Sequence, residues 1–360
     1  MKTVLNCERL NRVLAQMERM GLSQMILSSP YTIDYLTGVW IKPFERMYVL
    51  YLRTGEIPVL FYGSVNGSIT VQGAETVSCG PMDRPVRMLA DRLSPGTVGV
   101  DREWSARFLL PLMEYRPDVR LVQGAEAVEL VRMVKDPEEQ ERMRQASRMD
   151  DGVFERAFQS ITGEETELQL SNRMGHFFEE AIGTHMGVSM VAFGANAANP
   201  HHAPGHEKPA RGGCILIDSG KALNKYMSDM TRTVFFQEVS QRHRELYQIV
   251  REANQAGIET IRPGIDAVEV DRAARKVIEE AGYGPFFVHR VGHGIGREGH
   301  EYPSIGGFAG VTLEPGMCFT VEPGIYLSGE VGIRIEDVVL VTKTGVEVLN
   351  HYRKDLQVIG

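Results

Sequence analysis

Four carboxylates in this sequence stand where a soluble protein seldom places them. Asp218 ends the apolar run CILI, and Asp229 lies in YMSDMTRTVFF, beyond the turn KALNK. The two are equidistant from the middle of that turn, so a symmetric hairpin makes them cross-strand neighbours on one face. The pattern repeats with Glu322 in CFTVEPGIY and Glu336 in VGIRIEDVVLV, centred on Gly329. The flanking strands are too apolar to face solvent throughout. Like charges opposed on a sheet are destabilising unless something positive lies between them. Between the hairpins, HRVGHGIGREGHEYP offers His289, His293 and His300 in a glycine-rich loop, and upstream NPHHAPGH offers His201, His202 and His206. Hard oxygen donors with imidazole suit a pair of divalent metal ions, Mn or Co ahead of Zn or Fe, rather than a thiolate site. Two such ions can share a hydroxide, draw the pKa of water toward neutrality and polarise a carbonyl. That is hydrolytic chemistry without a serine or cysteine nucleophile. Neither Ser219 nor Ser228 sits in the GxSxG setting of a serine hydrolase.

Each acid alone has an ordinary explanation. Asp218 reads as a strand-end turn residue, Asp229 as an ion-pair partner of Arg232, and Glu336 as a partner of Arg334 on a solvated edge. Two matched hairpins are what those separate explanations fail to cover. His176, His185, His243 and His351 read as surface or helix positions, and His202 and His206 as accessory at most.

The elements that must position these residues fall into two parts. The first third alternates helical and strand-like signals: a helix at 7–20, strands at 24–28, 47–52 and 59–62, a helix at 84–93 and a strand at 97–100. This is an α/β pattern with no catalytic constellation of its own. A boundary follows at 130–136, where Asp136 can cap a helix that has Pro137 at its first position. The expected domains are 1–132 and 133–360. In the second, helices at 137–161 and 167–182 precede strands at 187–193, 213–219 and 226–236. Helices at 241–261 and 267–281 precede strands at 317–326 and 331–342. Thr166 with Gln169, and Asp266 with Glu269, look like capping boxes. Two helices followed by hairpin strands, twice over, predict an α+β domain with internal pseudo-symmetry.

Composition narrows the function classes. The chain has 360 residues, 43% hydrophobic and 24% charged, which is enough for two ordinary cores. A net charge of −8 and the lack of any long Lys/Arg run argue against nucleic-acid or anionic-membrane binding. Cys7, Cys79, Cys214 and Cys318 are dispersed, with no CxxC pair, which predicts reduced thiols in a cytoplasmic protein. The first residues read as an amphipathic helix rather than a signal peptide, and no run approaches the ~20 apolar residues of a membrane span.

DSG with SDMTRT, then HRVGHGIG with HE, then VEPG, then RIED resemble the pita-bread metallopeptidases: prolidase, aminopeptidase P, methionine aminopeptidase and the metal-free creatinase. The resemblance covers 135–360 and implies a pita-bread catalytic domain with pseudo-two-fold symmetry. The first 132 residues, including SSPYTIDYLTG, resemble the smaller creatinase/prolidase amino-terminal domain, which methionine aminopeptidases usually lack. Creatinase lacks the complete metal set. The resemblance implies metal ligands at Asp218, Asp229, His293, Glu322 and Glu336, with Asp229 and Glu336 bridging two ions. It implies a proton-shuttling role for Glu322, catalytic roles for His201 and His300, a substrate-side position for His289, and an orienting role for Arg334. The implied activity is hydrolysis of the bond before proline in a small peptide with proline second, by a homodimer. Prolidases act on dipeptides, and many carry an arginine for the free carboxylate in HExPR. Here the segment is HEYPS, with Ser304 at that place, which leaves an Xaa-Pro aminopeptidase of longer peptides as the alternative. A non-catalytic binding protein on this fold would show eroded ligands, and none is eroded.

Overall fold

The computed structural model describes residues 1–184, 187–307 and 310–360. His185 lies outside the described residues. The chain divides into two compact units, Met1–Arg132 and Met133–Gly360. Among the described residues no helix is long and apolar enough to cross a membrane.

The first unit is built on a mixed six-stranded sheet in the order Glu75–Cys79, Val59–Gly63, Val49–Arg53, Gln24–Leu27, Gly96–Val100, Val119–Gln123. Strands with a side-chain period of two and apolar residues at every position have two faces to cover. Met25, Leu27, Leu50, Leu52 and Leu60 face a core with Leu10, Val13 and Met17 of helix Cys7–Arg19 and Ile33 and Leu36 of helix Pro30–Thr37. The intervening Ile26, Val49, Tyr51, Val59 and Phe61 face a second core with Leu89 and Leu112. Helices Pro30–Thr37, Ala106–Tyr115 and Glu126–Arg132 were not foreseen from the pattern. The first is short, but its ends carry local signals. Ser29 caps it, Pro30 opens it, and Gly38 closes it at φ 71°.

The second unit repeats one plan. Helices Pro137–Gln159 and Glu167–Ile182 precede a sheet in the order Val358–Ile359, Met230–Phe236, Cys214–Ser219, Met190–Phe193. Helices Gln241–Thr260 and Val268–Glu280 precede a sheet in the order Glu301–Ile305, Gly292–Gly294, Cys318–Val321, Asp337–Val341, Val346–Val348. A two-stranded hairpin extends from each sheet: Ala222–Leu223 with Tyr226–Met227, and Gly324–Leu327 with Val331–Arg334. Asp136 with Glu139 and Thr166 with Gln169 form capping boxes at the first two helices. Asp266 and Glu269 do not. Ala267 occupies the cap of Val268–Glu280 without a side-chain bond, and the Asp266 carboxylate accepts instead from the Val268 and Gly310 amides.

The hairpin registers decide which acids meet. Val321 pairs with Asp337 and Gly324 with Arg334, so Glu322 and Glu336 stand opposite each other where the ladder is interrupted, as expected. In the other hairpin the turn is the pair Asn224–Lys225, both at positive φ (50° and 72°), as a two-residue hairpin turn requires. This moves the centre of the hairpin toward the C-terminus, and Asp218 pairs with Thr231 rather than with Asp229. A displacement of two positions keeps the same face, because the side-chain period is two. Asp229 therefore stays on the side of Asp218 but as a diagonal neighbour, across from Gly220. A Cβ on that glycine would lie 1.8 Å from the Ser228 carbonyl oxygen, so the glycine of DSG is a packing requirement.

Candidate metal centre

Asp218 lies near the end of strand Cys214–Ser219, His293 at the register shift of strand Gly292–Gly294, Asp229 just before strand Met230–Phe236, and Glu322 and Glu336 at the ladder break. Ligating atoms of Asp229, His293 and Glu336 lie within 4.8 Å of one another. His293 Nε2 is 3.4 Å from Glu322 Oε1 and 3.8 Å from Asp229 Oδ2. Asp218 Oδ2 accepts from Arg334 Nη2 at 2.7 Å. The His293 ring is oriented from behind, since Nδ1 faces the Gly294 carbonyl at 3.1 Å. A carbonyl only accepts, so Nδ1 carries the hydrogen and Nε2 presents its lone pair to the carboxylates, as a metal-ligating imidazole does. Gly292 allows this approach, because a Cβ there would lie 1.8 Å from the Thr320 carbonyl oxygen.

The electrostatics are those of a site short of positive charge. His293 and Glu336 are almost fully buried. The Asp229 carboxyl is pushed well above the usual range, first by desolvation and then by Asp218 and Glu322, against the pull of Arg334 and Lys221. Glu336 is pushed up in the same way, by burial and then by Asp229, Glu322 and Asp218. Glu322 rises to about 7, through burial first and the charge on Asp218, with Arg334 opposing. His293 is lowered to about 3 by burial and by His300, so it is neutral and free to donate a lone pair. Several acids that repel one another around a neutral imidazole fit a divalent cation. The ligand set is oxygen-rich with one nitrogen, and the nearest cation is already engaged with Asp218.

Hydrogen bonds outside the cluster hold it in place. Thr231 Oγ1 donates to Glu336 Oε2 at 2.6 Å, and Thr320 Oγ1 to Glu322 Oε1 at 3.2 Å. Arg334 Nε donates to Thr231 Oγ1 at 3.0 Å, and its Nη1 to the Tyr326 hydroxyl at 2.8 Å. The Tyr326 hydroxyl in turn meets His289 Nε2 at 2.8 Å, so one run of bonds links Asp218 to His289 through Arg334. The break between Glu322 and Glu336 leaves two carbonyls to be satisfied. Asn254, fully buried on helix Gln241–Thr260, donates to the Val321 oxygen at 2.9 Å and the Ile335 oxygen at 3.4 Å. Asn254→Ala should lower stability by about 1–3 kcal/mol, the penalty of leaving buried acceptors unpaired. The urea-denaturation midpoint measures it, and a loss under about 0.5 kcal/mol, as at an indifferent surface site, would remove that role from Asn254.

The histidines divide. The His300 ring centroid lies 4.0 Å from that of His293 at an interplanar angle of 76°. His201 is exposed, and its charge is felt at both His289 and His300. His202 is drawn away. Its Nε2 bonds the buried Glu167 at 2.8 Å, and Glu167 also accepts from the amides of Phe193 and Gly205, so it fastens the loop after Met190–Phe193. Tyr326, Thr231, Thr320 and Asn254 were not singled out from the sequence, because hydroxyls and amides near a motif carry no spacing signal. Asp150 was also missed. It is fully buried on helix Pro137–Gln159, its carboxyl pushed well above the usual range by desolvation and then by the charge on Asp229. Helical spacing from Met143, Ala146 and Ser147 to Val153, Phe154 and Ala157 marks its face as buried, and that signal could have found it.

The chain is similar to known proteins over nearly its whole length. Residues 141–343 match metallopeptidase family M24, and residues 9–134 match the creatinase/prolidase N-terminal domain. An Xaa-Pro dipeptidase of Lactobacillus helveticus is 34% identical over 345 residues, which cover 92% of this chain and 94% of that protein. A dipeptidase of Pyrococcus horikoshii superposes with a TM-score of 0.90 at 30% identity, over 98% of this chain and 100% of that one. A prolidase of Thermococcus sibiricus superposes with a TM-score of 0.91 at 28% identity, over 98% of this chain and 99% of that one. Across nearly its whole length, then, this chain belongs to metallopeptidase family M24, with a creatinase/prolidase N-terminal domain ahead of the peptidase domain.

Proposed function

We propose that this protein hydrolyses the Xaa-Pro bond of dipeptides, with two divalent metal ions, Mn or Co ahead of Zn or Fe. The observation that carries the reading is the cluster of Asp229, His293 and Glu336, with Glu322 3.4 Å from His293, in a chain that is 34% identical, over 92% of its length, to an Xaa-Pro dipeptidase. Asp218, Asp229, His293, Glu322 and Glu336 would hold the ions. Bound there, a divalent metal supplies an activated water and polarises the scissile carbonyl.

The chain's own residues do the rest. Glu322, 3.4 Å from His293 Nε2 and held by the Thr320 hydroxyl at 3.2 Å, would carry a proton to the leaving nitrogen. His300, lowered by burial and by Arg290, is neutral at pH 7 and can donate its N–H to the developing oxyanion. His201 lies within electrostatic reach of His289 and His300 and would contact the substrate from the open side. His289, held by Tyr326, would line the proline side. Arg334 orients Asp218 and, through Thr231, Glu336. Proline lacks an N–H and fixes its backbone angle, so a pocket shaped for the ring selects substrates that ordinary peptidases cannot take. A homodimer in the reduced cytoplasm belongs to the same reading. The dispersal of the four cysteines, with no CxxC pair, supports the compartment, and size-exclusion chromatography with light scattering tests the dimer.

The test is hydrolysis of Met-Pro against Met-Pro-Ala in Mn²⁺. Higher kcat/KM for Met-Pro is expected. Preference for Met-Pro-Ala would make the protein an Xaa-Pro aminopeptidase, the reading that Ser304 at the HExPR arginine place favours. Inactivity on both, with metal bound, would remove proline specificity.

A further inference from the structure

We propose that Arg290 binds the free carboxylate of the dipeptide and so excludes longer peptides. This rests on the Xaa-Pro reading above and names the group that sets substrate length within it. Strands Gly292–Gly294 and Glu301–Ile305 pair with His293 opposite Ser304. Arg290, three residues before His293, reaches across and donates from Nη1 to Ser304 Oγ at 3.1 Å. A guanidinium from the neighbouring segment thus stands against the Ser304 hydroxyl.

Arg290 differs from the other arginines around the cluster. Arg334 is engaged with Asp218 at 2.7 Å, and Arg275 with Asp271 at 2.8 Å. Among the described residues no carboxylate lies within ion-pair distance of Arg290, and its side chain is exposed. The Ser304 hydroxyl fixes Nη1 and leaves Nε and Nη2 as the flat two-pronged edge that pairs with a carboxylate. The position suits the chemistry. In a dipeptide the free carboxylate belongs to the residue just after the scissile bond, and consecutive Cα atoms are about 3.8 Å apart. Its binding group must stand within one residue's reach of the reacting centre. The hydroxyl that Arg290 holds belongs to Ser304, which pairs across the ladder with His293 of the cluster. In a tripeptide the carboxylate becomes a neutral amide and the chain continues toward the guanidinium, which loses its charge partner.

The experiment compares Met-Pro, its C-terminal amide and Met-Pro-Ala on the Mn²⁺-loaded parent, Arg290→Ala and Arg290→Lys. The parent should favour Met-Pro over the amide. In Arg290→Ala the ratio of kcat/KM for Met-Pro over the amide should fall by about 10–100-fold, mainly through KM, as loss of a charged hydrogen bond to bound substrate dictates. Arg290→Lys, which keeps the charge and loses the fork, should fall between. An unchanged ratio in Arg290→Ala, or an equal loss on both substrates, overturns the assignment while leaving the Xaa-Pro reading intact. A parent that favours Met-Pro-Ala overturns the assignment and the dipeptide preference together. A metal-loaded parent that cleaves none of the three overturns the Xaa-Pro reading itself.

Discussion

Glu336→Gln should lose more than about 100-fold in kcat/KM on Met-Pro while making the metal-free protein more stable above pH 6.5. The loss is expected to exceed the ~10–100-fold typical of a residue that only supports a ligand, because Glu336 would itself hold the metal. The gain in stability follows from the same carboxylate. Glu336 is pushed well above its ordinary 4.5, by burial first and then by Asp229, Glu322 and Asp218. With a raised value, the folded chain keeps a proton that the unfolded chain has already released. The stability due to that proton is present below 4.5 and is lost as pH rises through the folded value. Glu322, at about 7, adds a loss of the same sign. His293 and His289, lowered to about 3 and about 4, act in the opposite direction, but only below 6.5, where the unfolded imidazoles are charged. Above 6.5 the carboxylates set the slope. The chelated parent should therefore melt at a lower temperature at pH 8 than at pH 6.5, and Glu336→Gln should show a smaller drop. Added Mn²⁺ should reverse the drop in the parent, since metal replaces the protons. Activity within tenfold of the parent, or a steeper drop in the variant, would sink this account of Glu336.

Asp337, the next residue, faces the other way and should behave as its opposite. Asp337→Ala should destabilise the metal-free protein by about 3–5 kcal/mol, the effect of removing one partner of a buried ion pair. Asp337 is fully buried between Arg232 Nη2 and Lys354 Nζ, each at 2.7 Å, and Arg232 is itself buried. Desolvation pushes its carboxyl up, but the charges and hydrogen bonds of Arg232 and Lys354 together hold it below the usual 3.8. Its stabilisation is thus complete above that value and lost as pH falls through the folded one. Removing the carboxylate strands the Arg232 guanidinium, which also donates to the carbonyl of Glu336, inside the fold. Urea denaturation at neutral pH measures the loss. A shift under about 1 kcal/mol would mean that Arg232 is satisfied without Asp337. Neighbouring acids would then have opposite effects: one removed at a gain in stability and a loss of chemistry, the other at a loss of stability.

The candidate acids and histidines, their order and the two-fold plan of the second unit could be read from the chain alone. Apolar runs that end in acids are local patterns, and the helices Pro137–Gln159 and Glu167–Ile182 announce themselves through caps a few residues long. The register of Glu322 against Glu336 was equally legible, because Gly329 sits at the centre of a symmetric turn. The register of Asp218 was not. Only the fold shows that Asn224 and Lys225 take the positive φ that sets the turn, and that Asp218 meets Thr231. The first unit's shorter helices were hidden for a related reason, since a helix of a few turns depends on burial against the sheet more than on its own periodicity. The sequence by itself determined which acids and imidazoles are the candidates for the chemistry and on what kind of element each lies. Tertiary structure alone decided what surrounds them. It set Asn254 over the ladder break, ran Tyr326 from Arg334 to His289, buried Asp150 beside Asp229, and carried Arg290 to Ser304. Those contacts join residues that are mostly far apart in the chain, and spacing carries no information about partners that only folding brings together.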